Sequence, residues 1–239
     1  MEENEVTGVV LSTMAFKEKD KLLHVFTVEL GNITCLLKGV SSSNAKLKPI
    51  SQPFCFAKLE LTKSNDFYII RGAVVIDSFF DITLDYDRFI HCSSLLEVCR
   101  TILRPNIISE GLFLALIKTF QNIVYNGINY KLACIKFLLL ALKLIGYELN
   151  FDTCDNCDLK FMGNIKFNIE SGTFRCSNCS GGLIIDKAVF ANLKIINPTP
   201  IERLQTIKVK DEILDECLKI LYRDIEYRLN YKIKSINLN

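Results

Sequence analysis

The chain has 239 residues, 49% of them hydrophobic and 23% charged, with a formal net charge of +2. That length buries a core and allows one large domain or two to three small ones, and such an even charge does not by itself announce a nucleic-acid protein. Any phosphate-binding surface must come from basic residues gathered on one face. The N-terminal Met-Glu-Glu-Asn-Glu-Val is acidic, the opposite of a secretory signal. The most apolar stretch, Leu132 to Ile145, is too short to span a bilayer and carries Lys136 and Lys143. These features predict a soluble, cytoplasmic chain with reduced thiols and no membrane partner.

The first eighty residues read as strands. Val6 to Met14, Lys21 to Leu30, Asn32 to Lys38, Phe54 to Thr62 and Phe67 to Ile76 interleave polar residues with Val, Ile, Leu and Phe. Gly31-Asn32 suits a tight hairpin turn, as does Lys63-Ser-Asn-Asp66. The polar, proline-punctuated segment from Gly39 to Pro53 is predicted to be loop throughout. Five strands with a long connection after the third outline an OB-fold, a small barrel often used on nucleic acid; other five-strand barrels fit the same pattern.

After Asp81 the period becomes helical. Tyr86 to Leu103 places Phe89, Cys92, Leu95, Leu96 and Cys99 on one stripe, and Pro105 stops it. Ser109 is positioned to cap a second helix ending at Gly127. Tyr130 to Ile145 is apolar nearly all round, which predicts a central buried helix ended by Gly146. Beyond the cysteines, Ala188 to Ile196 and roughly Lys210 to Tyr231 read as helices. Between them, Thr199-Pro200-Ile-Glu202 has the form of a capping box.

Between these helices lies Cys154-x2-Cys157-x18-Cys176-x2-Cys179. Each Cys-x2-Cys pair fits a short turn that aims two thiolates at one centre, and Asp158 to Arg175 is long enough for a hairpin that brings the pairs together. Four thiolates suit a closed, structural Zn2+ site rather than a catalytic one, which keeps a position open for water. A rubredoxin-like iron site uses similar knuckles, and free thiols or two disulfides are the bland alternatives. The finger shows no core of its own, so its folding is expected to depend on the metal. Neither histidine is a ligand on this reading: His24 belongs to a strand and His91 to a helix. Cys35, Cys55, Cys92, Cys99, Cys134 and Cys217 lie in apolar surroundings and read as small core residues.

Candidate phosphate-binding cations fall in three places. Lys17 and Lys19 lie in the turn before Lys21; Lys38, Lys46 and Lys48 sit in the loop after the third strand with no acid among them; Arg223, Arg228, Lys232 and Lys234 make the C-terminus lean basic. Loops at the rim of an OB barrel are where backbone phosphates are gripped, and Phe16 and Tyr68 are candidate base-stacking partners. Solvated loop lysines and a solvated helix face are the plain alternatives. The motifs of nucleotide-binding α/β enzymes, Gly-x-x-x-x-Gly-Lys-[Ser/Thr] and Gly-x-Gly-x-x-Gly, are missing, so no enzyme activity is expected.

The order of parts, together with Lys19-Asp-Lys-Leu-Leu-His-Val-Phe-Thr27, Lys38-Gly39-Val, Leu47-Lys-Pro-Ile-Ser-Gln-Pro-Phe54, Leu144-Ile-Gly146-Tyr, Phe151-Asp-Thr-Cys154 and Tyr227-Arg228-Leu-Asn-Tyr-Lys-Ile-Lys234-Ser235, resembles the RecO recombination mediator family of bacteria. The resemblance covers nearly the whole chain. It implies an α+β multidomain protein in four stretches: residues 1–80 an OB-fold nucleic-acid-binding domain, 81–150 the first part of a helical domain, 151–183 an inserted four-cysteine zinc finger, and 184–239 the second helical part. It implies a recombination mediator in DNA repair that binds single- and double-stranded DNA and anneals complementary strands. With RecR, such a protein loads RecA on DNA coated by the single-stranded DNA-binding protein, whose acidic tail it meets; a nucleoid-associated location follows. Some members lack the cysteines, which implies that the metal stiffens the finger. One departure is that residues 1–80 hold nine Lys and Arg against nine Asp and Glu, so DNA affinity is expected to be weak or partner-dependent. The rival readings are a zinc-finger RNA-binding or ribosome-associated module without annealing activity, and an enzyme whose four cysteines staple a lid.

Overall fold

The computed structural model describes residues 3–40, 47–64, 67–105, 107–161 and 163–236. Its elements run β1 (Glu3–Phe16), β2 (Asp20–Thr27), β3 (Gly31–Leu37), β4 (Phe56–Ser64) and β5 (Phe67–Asp77), then α1 (Tyr86–Ile102), α2 (Glu110–Tyr125) and α3 (Tyr130–Leu144). Three short strands follow, β6 (Ile165–Asn168), β7 (Thr173–Arg175) and β8 (Leu183–Ile185), before α4 (Lys187–Ile196) and α5 (Asp211–Leu229). The chain divides into two compact units, Met1–Phe89 with Leu96–Ile117, and Ile90–Leu95 with Lys118–Asn239.

The first unit is built on a closed barrel of order β1-β2-β3-β5-β4, in which β3 and β5 run parallel and the other pairs antiparallel. This is the expected OB topology. Alternation creates it: on β4, Ala57, Leu59 and Leu61 are buried while Lys58 and Glu60 face out. The inward residues join Leu23, Val25, Ile33 and Cys35 in one core. Bulges at Val10/Ser12 on the β1–β2 seam and at two places on the β4–β5 seam supply the bending that closure needs.

Two turns differ from expectation. β2 stops at Thr27 rather than Leu30, because the Thr27 hydroxyl accepts from the Leu30 amide and donates to the Gly31 carbonyl. The hairpin therefore turns at Val28–Leu30, and Gly31 opens β3 at φ +69° with Ile107 tight against it. A Cβ there would lie 2.3 Å from the Ile107 carbonyl oxygen. Gly31→Ala is expected to cost about 1–3 kcal/mol through the left-handed φ alone, and more through the backbone clash; a urea titration of the purified variant checks this. The second difference is a 3-10 helix at Lys48–Ser51, where loop was expected; Pro49 fixes φ in its first turn. Asn65 and Asp66 of the other anticipated turn lie outside the described residues.

In the second unit α3 is the central helix, buried on nearly every side and started by Asn129, whose side chain accepts from the Lys131 and Leu132 amides. Lys131 reaches the first turns of α5, 2.7 Å from Asp215 and 3.2 Å from Asp211. Tyr222 of α5 is fully buried, its hydroxyl 2.6 Å from Ser94. His91 is an ordinary half-buried histidine, its ring packed beside Tyr130 and Tyr222. The Thr199 capping box does not form. Thr199 donates its hydroxyl to the Ile195 carbonyl at the end of α4, and Ile201–Thr206 is a 3-10 helix with no side-chain cap. Among the described residues no helix is long and apolar enough to cross a membrane.

Candidate metal centre and nucleic-acid interface

Two tight turns carry the four cysteines. In the first, the Cys154 amide bonds to the Leu159 carbonyl and the Asp158 amide to the Cys154 carbonyl, with Asp158 at φ +57°. In the second, the Cys179 amide donates to the Cys176 carbonyl. Between them β6 and β7 form the anticipated hairpin, and β8, which the sequence did not suggest, adds a third strand on the other side of β6. Lys166 of β6 donates to the Ser177 and Cys179 carbonyls at 3.0 and 2.8 Å, which fixes the second turn. The Asp155 amide bonds to the Phe174 carbonyl and ties the first turn to β7.

The result is a cluster in which all four Sγ atoms lie within 4.8 Å of one another. Cys154–Cys179, Cys157–Cys176 and Cys176–Cys179 are separated by 3.6, 3.9 and 3.5 Å. Four sulfurs bound tetrahedrally at about 2.3 Å have edges of about 3.8 Å, so the donor set fits a metal ion. Burial opposes a charge on Cys154, but the amides of Cys176, Asn156 and Cys157 outweigh it and hold the thiol down at about 6. Asn156 favours the Cys179 thiolate, yet Cys176, burial and the two remaining sulfurs push that thiol up to about 12.

The finger has a core of its own, contrary to expectation. Phe174 packs against Phe151, Phe167 and Phe190 at 5.2, 5.2 and 5.0 Å, and Phe161 meets Phe190 at 5.0 Å. Phe190 lies on α4, so the finger is seated on the helices by aromatic contacts. These phenylalanines are scattered over forty residues, and no periodicity advertises them.

The candidate cations meet different fates. Lys17, Lys19, Lys38 and Lys48 are all exposed. The Gly39 amide bonds to Asp20 at 2.9 Å, and Lys21 reaches the Ser51 hydroxyl at 3.3 Å. The β1–β2 turn, the segment after β3 and the 3-10 helix thus share one end of the barrel, and they bring these four lysines there. Lys46 lies outside the described residues. Arg223 and Lys232 line a cleft of about 1090 Å³ between α5 and β8, together with Glu216 and Glu226. Lys234 is exposed.

Arg228 is used internally. Its side chain is 6% exposed, pairs with the fully buried Asp224 at 3.1 Å, and donates to the Ile169 and Glu170 carbonyls in the finger hairpin. Its guanidinium stacks 4.7 Å from the Tyr147 ring. It fastens the finger to α5, and Nε and both Nη atoms are engaged there rather than presented on the surface. Tyr68, a candidate for stacking, leans on the barrel core instead. Phe16 stays exposed under the Lys17 ammonium.

A closed five-stranded barrel of OB topology with lysines at one end, followed by helices that carry a four-cysteine finger, defines the class of fold. Comparison with known proteins agrees. Residues 1–79 match the model of the recombination protein O N terminal, and residues 83–236 that of the recombination protein O C terminal. Similar proteins include the DNA repair protein RecO of Clostridium novyi, 29% identical over 97% of this chain and 91% of that protein. That of Clostridium acetobutylicum is 28% identical over 97% and 94%, and that of Caldicellulosiruptor saccharolyticus 29% identical over 90% and 88%. The chain belongs to the RecO family.

Proposed function

We propose that this chain is a recombination mediator in DNA repair. It binds single- and double-stranded DNA, anneals complementary strands, and with RecR loads RecA on DNA coated by the single-stranded DNA-binding protein. The observation that carries this reading is the full-length family match on a barrel whose end gathers Lys17, Lys19, Lys38 and Lys48. The work is non-covalent: lysines neutralise two phosphate backbones so that strands can approach, and contacts with the coating protein's acidic tail compete for its release. Residues 1–80 serve as the DNA module and 81–150 with 184–239 as the helical platform, in the cytoplasm at the nucleoid. Cys154, Cys157, Cys176 and Cys179 hold Zn2+, which as a closed four-thiolate site supplies a crosslink for the finger at 151–183 and no reaction.

Strand annealing of coated single-stranded DNA, with and without RecR, tests the proposal; no acceleration in either case rules it out. The rim lysines give a second expected result. Replacing Lys38, Lys46 and Lys48 by glutamate should weaken DNA binding and flatten its salt dependence by about 2 units of slope, at roughly 0.7 per phosphate on a single strand. Thermal stability and metal content should hardly change, because exposed loop charges contribute little to folding. Affinity measured across a salt series decides it, and a wild-type slope in the variant removes these lysines from the interface.

A further inference from the structure

Where the barrel gives way to α1, the chain turns large apolar side chains outward. Phe80–Leu84 is a 3-10 helix of about three residues per turn, so Phe79 and Ile82 share its inner side. Those two are buried, whereas Phe80 is 63%, Leu84 66% and Tyr86 76% exposed. Val74 and Ile76 at the end of β5 are exposed as well. Phe79 stands at φ +46°, a left-handed setting that a bulky side chain takes only where its surroundings impose it. The base of this knuckle is fixed: Asp77 accepts from the Phe79 amide at 2.8 Å, and Phe89 packs edge-on to the buried Phe54 at 5.9 Å. A held, strained projection of apolar side chains into water marks an interaction surface.

Its charge narrows the partner. Asp81, Asp85 and Asp87 are exposed among the apolar residues, while the neighbouring Arg88 is half-buried with its Nε enclosed. Such a surface repels phosphate, whether of nucleic acid or of an anionic lipid, and attracts a basic, partly apolar one. The same barrel carries a surface of that kind. At its lysine end Lys17, Lys19, Lys38 and Lys48 are exposed beside Met14 and Phe16, with the Lys17 ammonium 5.4 Å over the Phe16 ring. Of the acids there, Asp20 is engaged by the Gly39 amide and Glu18 is exposed.

We propose that the Phe80–Asp87 knuckle of one copy docks on the lysine end of a second copy of this chain. Phe80 and Leu84 then meet Phe16 and Met14, and the aspartates face the lysines. Each copy offers both halves, so a two-fold pair makes the contact twice. The surfaces are small, which gives a weak, concentration-dependent pair rather than a permanent dimer. The lysines of this contact are those assigned above to DNA, so pairing and DNA binding exclude each other. That competition rests on the proposed function; the contact itself does not.

Sedimentation of the full chain over a concentration series reads the contact. The wild type should move from monomer towards dimer as concentration rises, and going from about 50 to 500 mM NaCl should weaken pairing about 10-fold or more by screening. Asp81→Lys with Asp87→Lys, and separately Lys17→Glu with Lys19→Glu, should each stay monomeric. Mixed, these two variants should pair, because the reversed knuckle of one meets the reversed lysine end of the other and their unaltered halves still match. Glu110→Lys with Glu212→Lys, exposed acids elsewhere, makes the same change in net charge and should pair with itself as the wild type does. Thermal denaturation controls for folding. A thymidine oligonucleotide should take wild-type pairs apart. A wild type that is monomeric at every concentration, or variants that do not pair when mixed, overturns the contact, leaves the knuckle to a different basic protein and does not touch the DNA reading. So does a loss in the Glu110 and Glu212 variant equal to that in the knuckle variant. Pairs that form and persist in excess oligonucleotide overturn the competition and count against the DNA role of these lysines, not against the contact.

Discussion

Cys154→Ser protein is expected to carry far less metal than the one ion per chain of the wild type, and its finger should open at a temperature where the barrel remains folded. Cys154 is fully buried, and three backbone amides hold its thiol down at about 6. Serine offers a hydroxyl that does not deprotonate near neutral pH. Metal binding supplies about 10–16 kcal/mol to isolated zinc-finger peptides. The phenylalanine cluster retains part of the finger's seating on α4, so the expected loss is local unfolding of residues 152–185 rather than collapse of the second unit. Elemental analysis and hydrogen exchange measure the two effects. Cys217→Ala, buried but outside the cluster, should keep its metal. Wild-type protein purified without chelator that holds neither zinc nor iron would falsify the assignment.

Arg228→Ala should destabilise the second unit by about 3–5 kcal/mol, the cost of leaving a buried partner unpaired. Asp224 is 0% exposed and its Oδ2 has no hydrogen-bond partner, so Arg228 is what compensates that charge. The substitution also frees the Ile169 and Glu170 carbonyls in the finger hairpin. Space around the guanidinium is tight: a Cβ added at Gly172, which stands at φ +67°, would lie 2.4 Å from Arg228 Nη2. By contrast, Arg223→Ala, on an exposed position of the same helix, should stay within about 0.5 kcal/mol. Denaturant unfolding of the two variants makes the comparison, and equal stabilities would refute the clasp.

The same pair sets a pH dependence. Burial raises the Asp224 pKa to about 6 against the lowering by Arg228, from about 3.9 for an unfolded aspartate. The folded state then holds a proton that the unfolded state releases, so this group's contribution to stability is greatest below the unfolded pKa. It declines as pH rises to about 6. Asp224→Asn should remove that decline: the wild type loses stability relative to the variant between about pH 4 and 6 and runs parallel above. Parallel curves throughout would show that Asp224 titrates as it does in the unfolded chain.

Local chemistry was readable from the chain and distant partnership was not. The alternation of Ala57, Leu59 and Leu61 with Lys58 and Glu60 has the strand period, and a barrel core needs little more to set each residue's side. The hairpin after β2 was misplaced by three residues because a glycine with positive φ reads as a turn wherever it stands. What fixed the turn was the Thr27 hydroxyl bridging Leu30 and Gly31. Thr199 had the right neighbours for a cap and spent its hydroxyl on the preceding helix. Three-residue β8, with Leu183 and Ile184 exposed, is too short to show a period.

Arg223 and Arg228 give the sharpest contrast. They are alike in composition and five residues apart on α5, yet one is exposed at a cleft and the other is 6% exposed in an ion pair. By itself the sequence determined the four-thiol cluster, because each Cys-x2-Cys turn forms from its own few residues and two such turns joined by a hairpin can converge on one centre. It pointed to a five-stranded barrel as well, through a repeat of two residues that β4 carries most plainly. Tertiary structure alone decided which cations remain available for a ligand. The acceptors that hold Arg228 include carbonyls 58 and 59 residues away, and a guanidinium is free or committed only once the fold has brought such partners to it.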